Sequence, residues 1–312
     1  MVQSVASPAE PPKRSLEMML GERRLALAFV APALIVIAVL VGGGMVYAFF
    51  LSLNEVTFVG GRPVYEWVGF QHYLDFLDDA RLHQALRQTL VFTAARVIAT
   101  IVLAMAIALT INEAIPGLRI VRSLFLVPWA LSSVVNGLMW GWILNGNFGV
   151  ANAILEGIGL IDRYRSWLGD PETALPAIIF ADIWKAVPFA SLMFLAALQH
   201  VPKDLHDAAK VDGAGPVNRF RNVTLPAMRP VLLVILIIET MWALKAFDLV
   251  WVLTQGGPLD SSLVLNVYAY QQTFQFFNFG YGASIAYFVA VLILGLVAVY
   301  VAALRGDRED LR

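Results

Sequence analysis

Ionisable side chains inside long apolar stretches are the residues of this sequence whose types and spacing could do chemistry. Asp182 and Lys185 are three positions apart, as are Lys245 and Asp248, so each pair shares one face of a helix. The opposite charges can neutralise one another within one helix or between two helices. Glu239 lies in the same apolar stretch as Lys245 and Asp248. Charges inside a bilayer are costly and are found where they pair, bind ions or line a polar path. The pattern predicts either a charge cluster that fixes helix packing or the wall of such a path.

Other kinds of chemistry are not indicated. The chain has no cysteine, which excludes disulfides, thiol catalysis and cysteine metal sites, and its 4 histidines lack metal-like spacing. Neither a His-Glu-x-x-His nor a Gly-x-Ser-x-Gly motif is present, so we expect no enzyme. A Gly-x-x-x-x-Gly-Lys-Ser/Thr phosphate loop is also missing, so we expect no cofactor and no bound ATP in this chain. A net charge of −1 gives no field that would attract nucleic acid.

The composition is that of an integral membrane protein. Hydrophobic residues make up 59% and charged residues 14% of 312 residues, against roughly 45–50% and about 25% in soluble domains. Six stretches are long and apolar enough to cross about 30 Å of hydrocarbon. They are Leu25–Leu53, Thr89–Ile111, Leu124–Leu144, Ala174–Leu198, Pro230–Leu253 and Ala283–Leu304. We expect an all-α protein with six transmembrane helices.

The charges between these spans predict the orientation. Lysine and arginine favour the cytoplasmic side, and they are concentrated in the two tails and in the loops after the second and fourth spans. We therefore expect cytoplasmic termini: a tail over residues 1–24, one transmembrane domain over 25–305 and a second tail over 306–312. Aromatic residues of the outer loop 54–88 predict a short amphipathic helix there. Arg96, inside the second span, is expected to snorkel or to pair with an acid, with a ligand role as the alternative.

The polar loop 200–229 has a helix–turn–helix pattern. Pro202 suits the first turn of a helix and Gly213 offers a C-cap. Lys203 and Asp207 are spaced to pair on the exposed face. A second short helix is expected to end before Pro226. The pattern alone leaves two interpretations open, namely a docking site for a cytoplasmic partner and a linker folded on the protein's own helix ends.

A resemblance favours docking. Asp207-Ala208-Ala209, Gly213 four positions later, and Val223-x-Leu225-Pro226 after nine more residues resemble the Glu-Ala-Ala signature of ATP-binding-cassette importer permeases, with Asp207 in the place of the usual Glu. The resemblance extends over nearly the whole chain and is closest to the carbohydrate branch, of the maltose and glycerol-3-phosphate type. Further motifs that carry it are Gly69-Phe-Gln-His-Tyr73, Leu126-Val-Pro128-Trp129, Trp184-Lys185, Pro188-Phe189 and Gly256-Gly257-Pro258.

The resemblance implies a type I importer permease fold and a set of partners. These are a second homologous permease, two ATPase subunits that bind ATP and Mg²⁺, an extracytoplasmic substrate-binding protein and a carbohydrate-like solute. It also implies an inner-membrane location and a cytoplasmic contact with the ATPase. The residues implied in that coupling contact are Asp207, Ala208, Ala209, Gly213, Leu225 and Pro226.

By the same resemblance, residues of the fourth and fifth spans are candidates for the solute path, where a tryptophan could stack on a sugar face. They are Trp184, Lys185, Glu239, Trp242 and Lys245. The alternative is a stand-alone, ion-coupled transporter or channel that uses Asp182, Glu239 and Asp248 as ion sites. The solute itself stays open: a neutral sugar, a polyol and an anion such as glycerol phosphate all fit these residues.

Overall fold

The computed structural model describes residues 16–112 and 124–309, which divide after Phe50 into two compact units. Helix α1 (Leu16–Ile37) passes through a π turn (Ala38–Gly42) into α2 (Gly43–Ser52), which ends two residues past this division. Most side chains along it from Leu27 to Phe50 are exposed and apolar. A helix satisfies its backbone hydrogen bonds internally, so an apolar exposed helix of this length suits a bilayer.

A β-hairpin follows and is the departure from the all-helical expectation. Strand β1 (Asn54–Val59) pairs antiparallel with β2 (Arg62–Trp67), with Val59 opposite Arg62. Gly60 and Gly61 form the two-residue turn with φ of +59° and +77°, values that suit glycine and match the twist of a hairpin. The loop also contains the short helix α3 (Gln71–Leu74) and one 3₁₀ turn (Asp75–Leu77), so the predicted short helix is present but is only part of the loop.

Five helices among the described residues are long and apolar enough to cross a membrane: Leu27–Ser52, Ala80–Ile111, Ala174–Leu198, Pro216–Leu253 and Phe279–Ala302. They correspond to the predicted first, second, fourth, fifth and sixth spans. The second, α4 (Ala80–Ile111), begins nine residues before the predicted Thr89 because Asp79 caps its N-terminus. The fourth is α8 (Ala174–Leu198) and the last is α14 (Phe279–Glu309).

The predicted third span is interrupted. Helices α5 (Val127–Ala130) and α6 (Ser133–Ile143) are separated by extended backbone at Leu131 and Ser132, and the Ser132 hydroxyl caps α6 by accepting from the Val135 amide. An outer helix, α7 (Val150–Gly157), follows. A stretch with enough hydropathy for one helix is thus divided by a capping serine, which hydropathy alone does not detect.

The polar loop contains helix α9 (Lys203–Val211) and then joins the fifth span without the predicted stop. Helix α10 (Pro216–Arg219), a π turn (Phe220–Thr224) and α11 (Leu225–Leu244) form one continuous helical path. The expected end before Pro226 is therefore wrong. A proline ring clashes with the carbonyl four residues earlier, and the wider π turn relieves that clash.

The fifth span breaks instead near its far end, over Lys245–Phe247, before α12 (Asp248–Leu253). After it, α13 (Leu265–Tyr270) and a π turn (Gln271–Gln275) pack into the main core, which includes the fully buried Leu263 and Leu265. Thr89 of α4 accepts a hydrogen bond from the Leu265 amide at 2.8 Å.

Asp79, at the N-terminus of α4, joins that helix to α13 and α14 through hydrogen bonds. Its Oδ1 accepts from the amides of Arg81 and Leu82, and its Oδ2 accepts from the hydroxyls of Tyr268 and Tyr281 at 2.6 Å each. Burial alone raises the pKa of Asp79, but these four hydrogen bonds outweigh burial, so the carboxyl pKa lies below its usual value. Burial and then the Asp79 carboxylate raise the pKa of Tyr268, which keeps its proton for donation.

We expect Asp79→Asn to lower the free energy of unfolding by about 2 kcal/mol at neutral pH, because hydrogen bonds to a charged acceptor are stronger than those to an amide. A depressed carboxyl pKa contributes stability above the pKa of the unfolded chain, and this is lost as pH falls through the folded-state pKa. The difference in free energy of unfolding between the parent and D79N should therefore narrow on acidification. Denaturant unfolding at neutral and at acidic pH measures this difference, and Asp75→Asn, at an exposed neighbouring residue, is the control. A gap that widens in acid would contradict this assignment.

Candidate solute cavity and docking helix

A cavity of about 310 Å³ lies between α4, α5, α6, α8 and the break in the fifth span. Its volume is at the lower end of the roughly 300–1,000 Å³ of small-molecule sites. Three cations and two carboxylates line it together with aromatic and small residues. The lining residues are Phe92, Arg96, Trp129, Ser133, Asp182, Lys185, Ala186, Trp242, Lys245, Ala246, Phe247, Asp248 and Leu249.

Arg96 organises the deep wall of this cavity. Its Nε lies 2.6 Å from Oδ2 of Asp182, and its Nη1 lies 2.6 Å from Oε2 of Glu239 and donates to the Glu239 carbonyl at 2.7 Å. The Arg96 side chain is 5% exposed and that of Glu239 is fully buried. The prediction that Arg96 pairs with an acid is confirmed. Because one guanidinium contacts two carboxylates from α8 and α11, it joins three spans.

Of the two modes of neutralisation that the sequence allowed, within one helix or between helices, Asp182 uses the second. Asp182 pairs with Arg96, and Lys185 donates from Nζ to the Ser133 hydroxyl at 3.0 Å. Lys245 begins the break in the fifth span and Asp248 is the first residue after it, so the helical spacing that would bring them together is lost. Both are exposed and both line the cavity. Lys185, Lys245 and Asp248 can therefore offer polar groups to a molecule in the cavity.

Aromatic rings form a second wall. Trp129 stacks on Phe189 with ring centroids 5.3 Å apart, and Phe189 contacts Trp242 at 5.2 Å. Trp129 and Trp242 both line the cavity, and both are more than 40% exposed. An exposed aromatic face beside charged donors and acceptors can hold a ring that is apolar on one face and polar at its edge.

The structure places three of the five path candidates in this cavity, namely Lys185, Trp242 and Lys245. Glu239 lies behind the wall as a partner of Arg96, and Trp184 packs edge-on against Trp140 at 5.8 Å. Sequence reasoning missed Trp129 and Ser133 as lining residues. Their signal was weak: Trp129 lies in a motif noted only for resemblance, and Ser133 follows the unpredicted break in the third span.

At the other end of the fifth span, α9 is an exposed helix with a defined end. Gly213 has φ of +77°, its amide donates to Lys210, and the Ala214 amide donates to Ala209, which is the Schellman pattern of a helix C-terminus. Asp207 pairs with Lys210 at 2.8 Å and not with the predicted Lys203. The hydrogen bond from Lys210 holds the pKa of Asp207 below its usual value.

The coupling residues named from the sequence divide into two groups. Asp207, Ala208 and Gly213 are exposed, and Ala209 is half-buried, at the tip of the loop. Leu225 and Pro226 lie in the first turn of α11, at the start of the long helix that reaches Glu239. Large apolar side chains are also exposed on this tip, with Val211 at 89% and Val217 at 75%. An exposed helix that carries apolar side chains at its end is suited to dock on a partner. The turn over residues 212–215 joins α9 to the helical path that begins at Pro216, so motion of α9 can be passed to the fifth span.

Fold and site together define a helical membrane protein of the permease class, with a polar cavity among its spans and an exposed helix outside them. The family described as the binding-protein-dependent transport system inner membrane component matches residues 100–308. This chain belongs to that family.

Sequence relatives and solved structures are consistent with this family assignment. The chain is 34% identical over 289 residues to the trehalose/maltose transport system permease protein MalF of Thermococcus litoralis, covering 92% of this chain and 96% of that protein. It is 33% identical to the sulfoquinovosyl glycerol transport system permease protein SmoG of Agrobacterium fabrum, covering 92% of each. A bacterial ABC transporter involved in the import of the acidic polysaccharide alginate has a chain of the same fold, with a TM-score of 0.78 at 24% identity, covering 93% of this chain and 98% of that one.

Proposed function

We propose that this chain is the non-catalytic membrane subunit of an ATP-driven importer for a carbohydrate, polyol or glycerol-phosphate-like solute. The observation that carries the proposal is that a polar, aromatic-walled cavity and the exposed helix α9 lie at opposite ends of the helical path from Pro216 to Leu244. Relatives named for trehalose/maltose, sulfoquinovosyl glycerol and diacetylchitobiose transport support a carbohydrate as the solute class.

The proposed assembly contains a second homologous permease, two ATPase subunits and an extracytoplasmic binding protein. A structure of similar fold supports the last of these, since that bacterial alginate ABC transporter was solved in complex with an alginate pentasaccharide-bound periplasmic protein. ATP and Mg²⁺ would be held by the ATPase subunits. The lysine and arginine distribution supports cytoplasmic termini, and with that orientation the α9 tip would lie on the cytoplasmic side.

In this mechanism α9 follows the ATPase when ATP binding closes it, and the rigid helix from Pro216 carries the motion into α11. The same helix holds Glu239 against Arg96, so movement that α9 passes to Pro216 through the turn over residues 212–215 would reach the cavity wall along that helix. The cavity would bind the solute through hydroxyl contacts to Lys185, Lys245 and Asp248 and through the faces of Trp129 and Trp242.

The test is uptake by proteoliposomes that contain this permease with its cognate partners. We expect uptake of a labelled sugar to require ATP and the ATPase subunits and to be unaffected when proton and sodium gradients are dissipated. The chain should also co-purify with the ATPase. Uptake by the permease alone, driven by an ion gradient, would instead establish the ion-coupled alternative that uses Asp182, Glu239 and Asp248.

For the cavity, we expect Trp242→Ala to raise KM for the transported solute roughly tenfold, since loss of an aromatic contact costs about 1–1.5 kcal/mol. Trp142→Ala is the matched control, because Trp142 is 72% exposed and does not line the cavity. Initial uptake rates across solute concentrations measure both. Equal KM values in the two variants would show that Trp242 does not contact the transported solute.

A further inference from the structure

The solute cavity contains two couples of opposite charge whose members form no ion pair with each other. Asp182 and Lys185 of α8 make up the first couple, and Lys245 and Asp248, at the break in the fifth span, make up the second. All four residues line the cavity, and no ion pair joins the members of either couple in the described part of the chain. Their charged groups therefore remain available to a molecule in the cavity.

The first couple is held apart by residues of other helices. Arg96 contacts Oδ2 of Asp182 at 2.6 Å, and Lys185 donates one of its ammonium hydrogens to the Ser133 hydroxyl at 3.0 Å. The second oxygen of Asp182, Oδ1, makes no hydrogen bond with the residues that the structure describes, and the Asp182 side chain is 22% exposed. An acceptor of Asp182 and further donor hydrogens of Lys185 thus stay open on one face of α8.

The charges around the cavity balance. Asp182 neutralises Arg96 together with Glu239, which contacts Arg96 at 2.6 Å from behind the wall. Counted with Glu239, the site has three cations and three carboxylates, namely Arg96, Lys185 and Lys245 against Asp182, Asp248 and Glu239. A charged molecule is costly to hold inside a membrane protein unless the site carries the opposite charge. The balance therefore disfavours a charged solute of either sign.

We propose that the cavity selects an uncharged solute with neighbouring hydroxyl groups, and that Asp182 and Asp248 exclude anionic sugars. A hydroxyl both donates and accepts, so it can accept from a lysine and donate to the carboxylate of the same couple. An anionic group on the solute would attract the lysines but would also face Asp182 or Asp248, and like charges repel. The inference rests on the proposed importer function and narrows its solute class to neutral sugars and polyols.

The test measures binding at the permease itself, because an extracytoplasmic binding protein would impose its own selection. The full chain, in complex with its cognate permease and ATPase subunits, is titrated with methyl α-glucoside and with methyl α-glucuronide. These probes differ only in a hydroxymethyl group against a carboxylate, and saturation-transfer NMR gives Kd for each. We expect the parent to bind the glucoside about tenfold more tightly, because the carboxylate of the glucuronide meets carboxylates in the cavity.

Single-charge variants should move glucuronide binding in opposite directions. Asp248→Asn leaves an excess positive charge and should tighten glucuronide binding about tenfold, whereas Lys245→Gln leaves an excess negative charge and should weaken it further. Both residues are exposed, so both variants are expected to fold. Asp182→Asn should act in the same direction as Asp248→Asn. Glu172→Gln changes an exposed carboxylate that does not line the cavity and should leave the preference as it is in the parent.

Equal or tighter binding of the glucuronide by the parent would overturn the inference, and so would binding of neither probe. A preference that neither Asp248→Asn nor Asp182→Asn changes would overturn it as well. Each of these results would leave the ATP-driven importer in place, because that function is decided by the energy source of uptake. Uptake driven by an ion gradient would overturn the importer, whatever the preference between the two probes.

Discussion

Replacing Arg96 with methionine is expected to lower the free energy of unfolding by roughly 3–5 kcal/mol, the cost of breaking a buried ion pair by removing one partner. The methionine leaves the carboxylates of Asp182 and Glu239 close to each other, and Glu239 has no exposed side-chain surface. Denaturant unfolding of the purified chain in detergent micelles measures the loss. Arg96→Lys should recover only part of it, since one ammonium cannot reproduce contacts made by both Nε and Nη1.

The triple variant R96M/D182N/E239Q is the informative control. It removes the charge from all three partners while nearly keeping their volumes, and neutralised buried networks are often close to the parent in stability. We expect it to be clearly more stable than R96M alone. If the triple variant were as unstable as the single one, the role of Arg96 would lie in its packing and not in its charge. If R96M unfolded like the parent, the network would not join the three spans.

The second large effect is expected at Gly213. Gly213→Val should reduce solute uptake about tenfold and abolish solute stimulation of the ATPase, while the complex still assembles. A β-branched residue in the left-handed region costs roughly 1–2 kcal/mol, which would unwind the end of α9. The cause is the backbone and not crowding, because an added Cβ at Gly213 would meet no atom within 4 Å.

The conformational argument supplies its own control. Asparagine tolerates the left-handed region, so Gly213→Asn should keep most of the transport although it is nearly as bulky as valine. Both variants are compared by uptake, ATPase rate and co-purification of the ATPase subunits. Equal losses in the two variants would indicate that side-chain bulk at the docking surface, and not the helix end, controls coupling. Unchanged coupling in both would place the contact elsewhere.

Hydropathy and turn chemistry predicted much of this fold. Five of the predicted spans are long helices in the structure, and Gly213 ends α9 as its position in the sequence indicated. The hairpin was missed, although Val59-Gly60-Gly61-Arg62 carries the glycine pair that is typical of a two-residue turn. The break in the third span was missed because Ser132 acts through one local hydrogen bond, which an average over a window does not register.

The charge pairs of the solute cavity could not be predicted from local sequence patterns alone. Spacing allowed Asp182 to be neutralised by Lys185 on its own helix or by a charge on another helix, and its partner is Arg96, 86 residues earlier. An ion pair in a low-dielectric interior goes to the geometry with the best contacts, and a guanidinium fork from a neighbouring helix offers two. Lys245 and Asp248 were separated by a break in their helix that the sequence does not mark.

By itself, the sequence determined that this chain is a helical membrane protein, where five long apolar helices lie, and which loop carries the exposed helix α9. These properties follow from hydrophobicity, glycine conformation and spacing, all of which act over a few neighbouring residues. Only the tertiary structure decided which charges neutralise one another and which tryptophans face a cavity. Those outcomes depend on contacts between residues far apart in the chain, and helix packing creates these contacts.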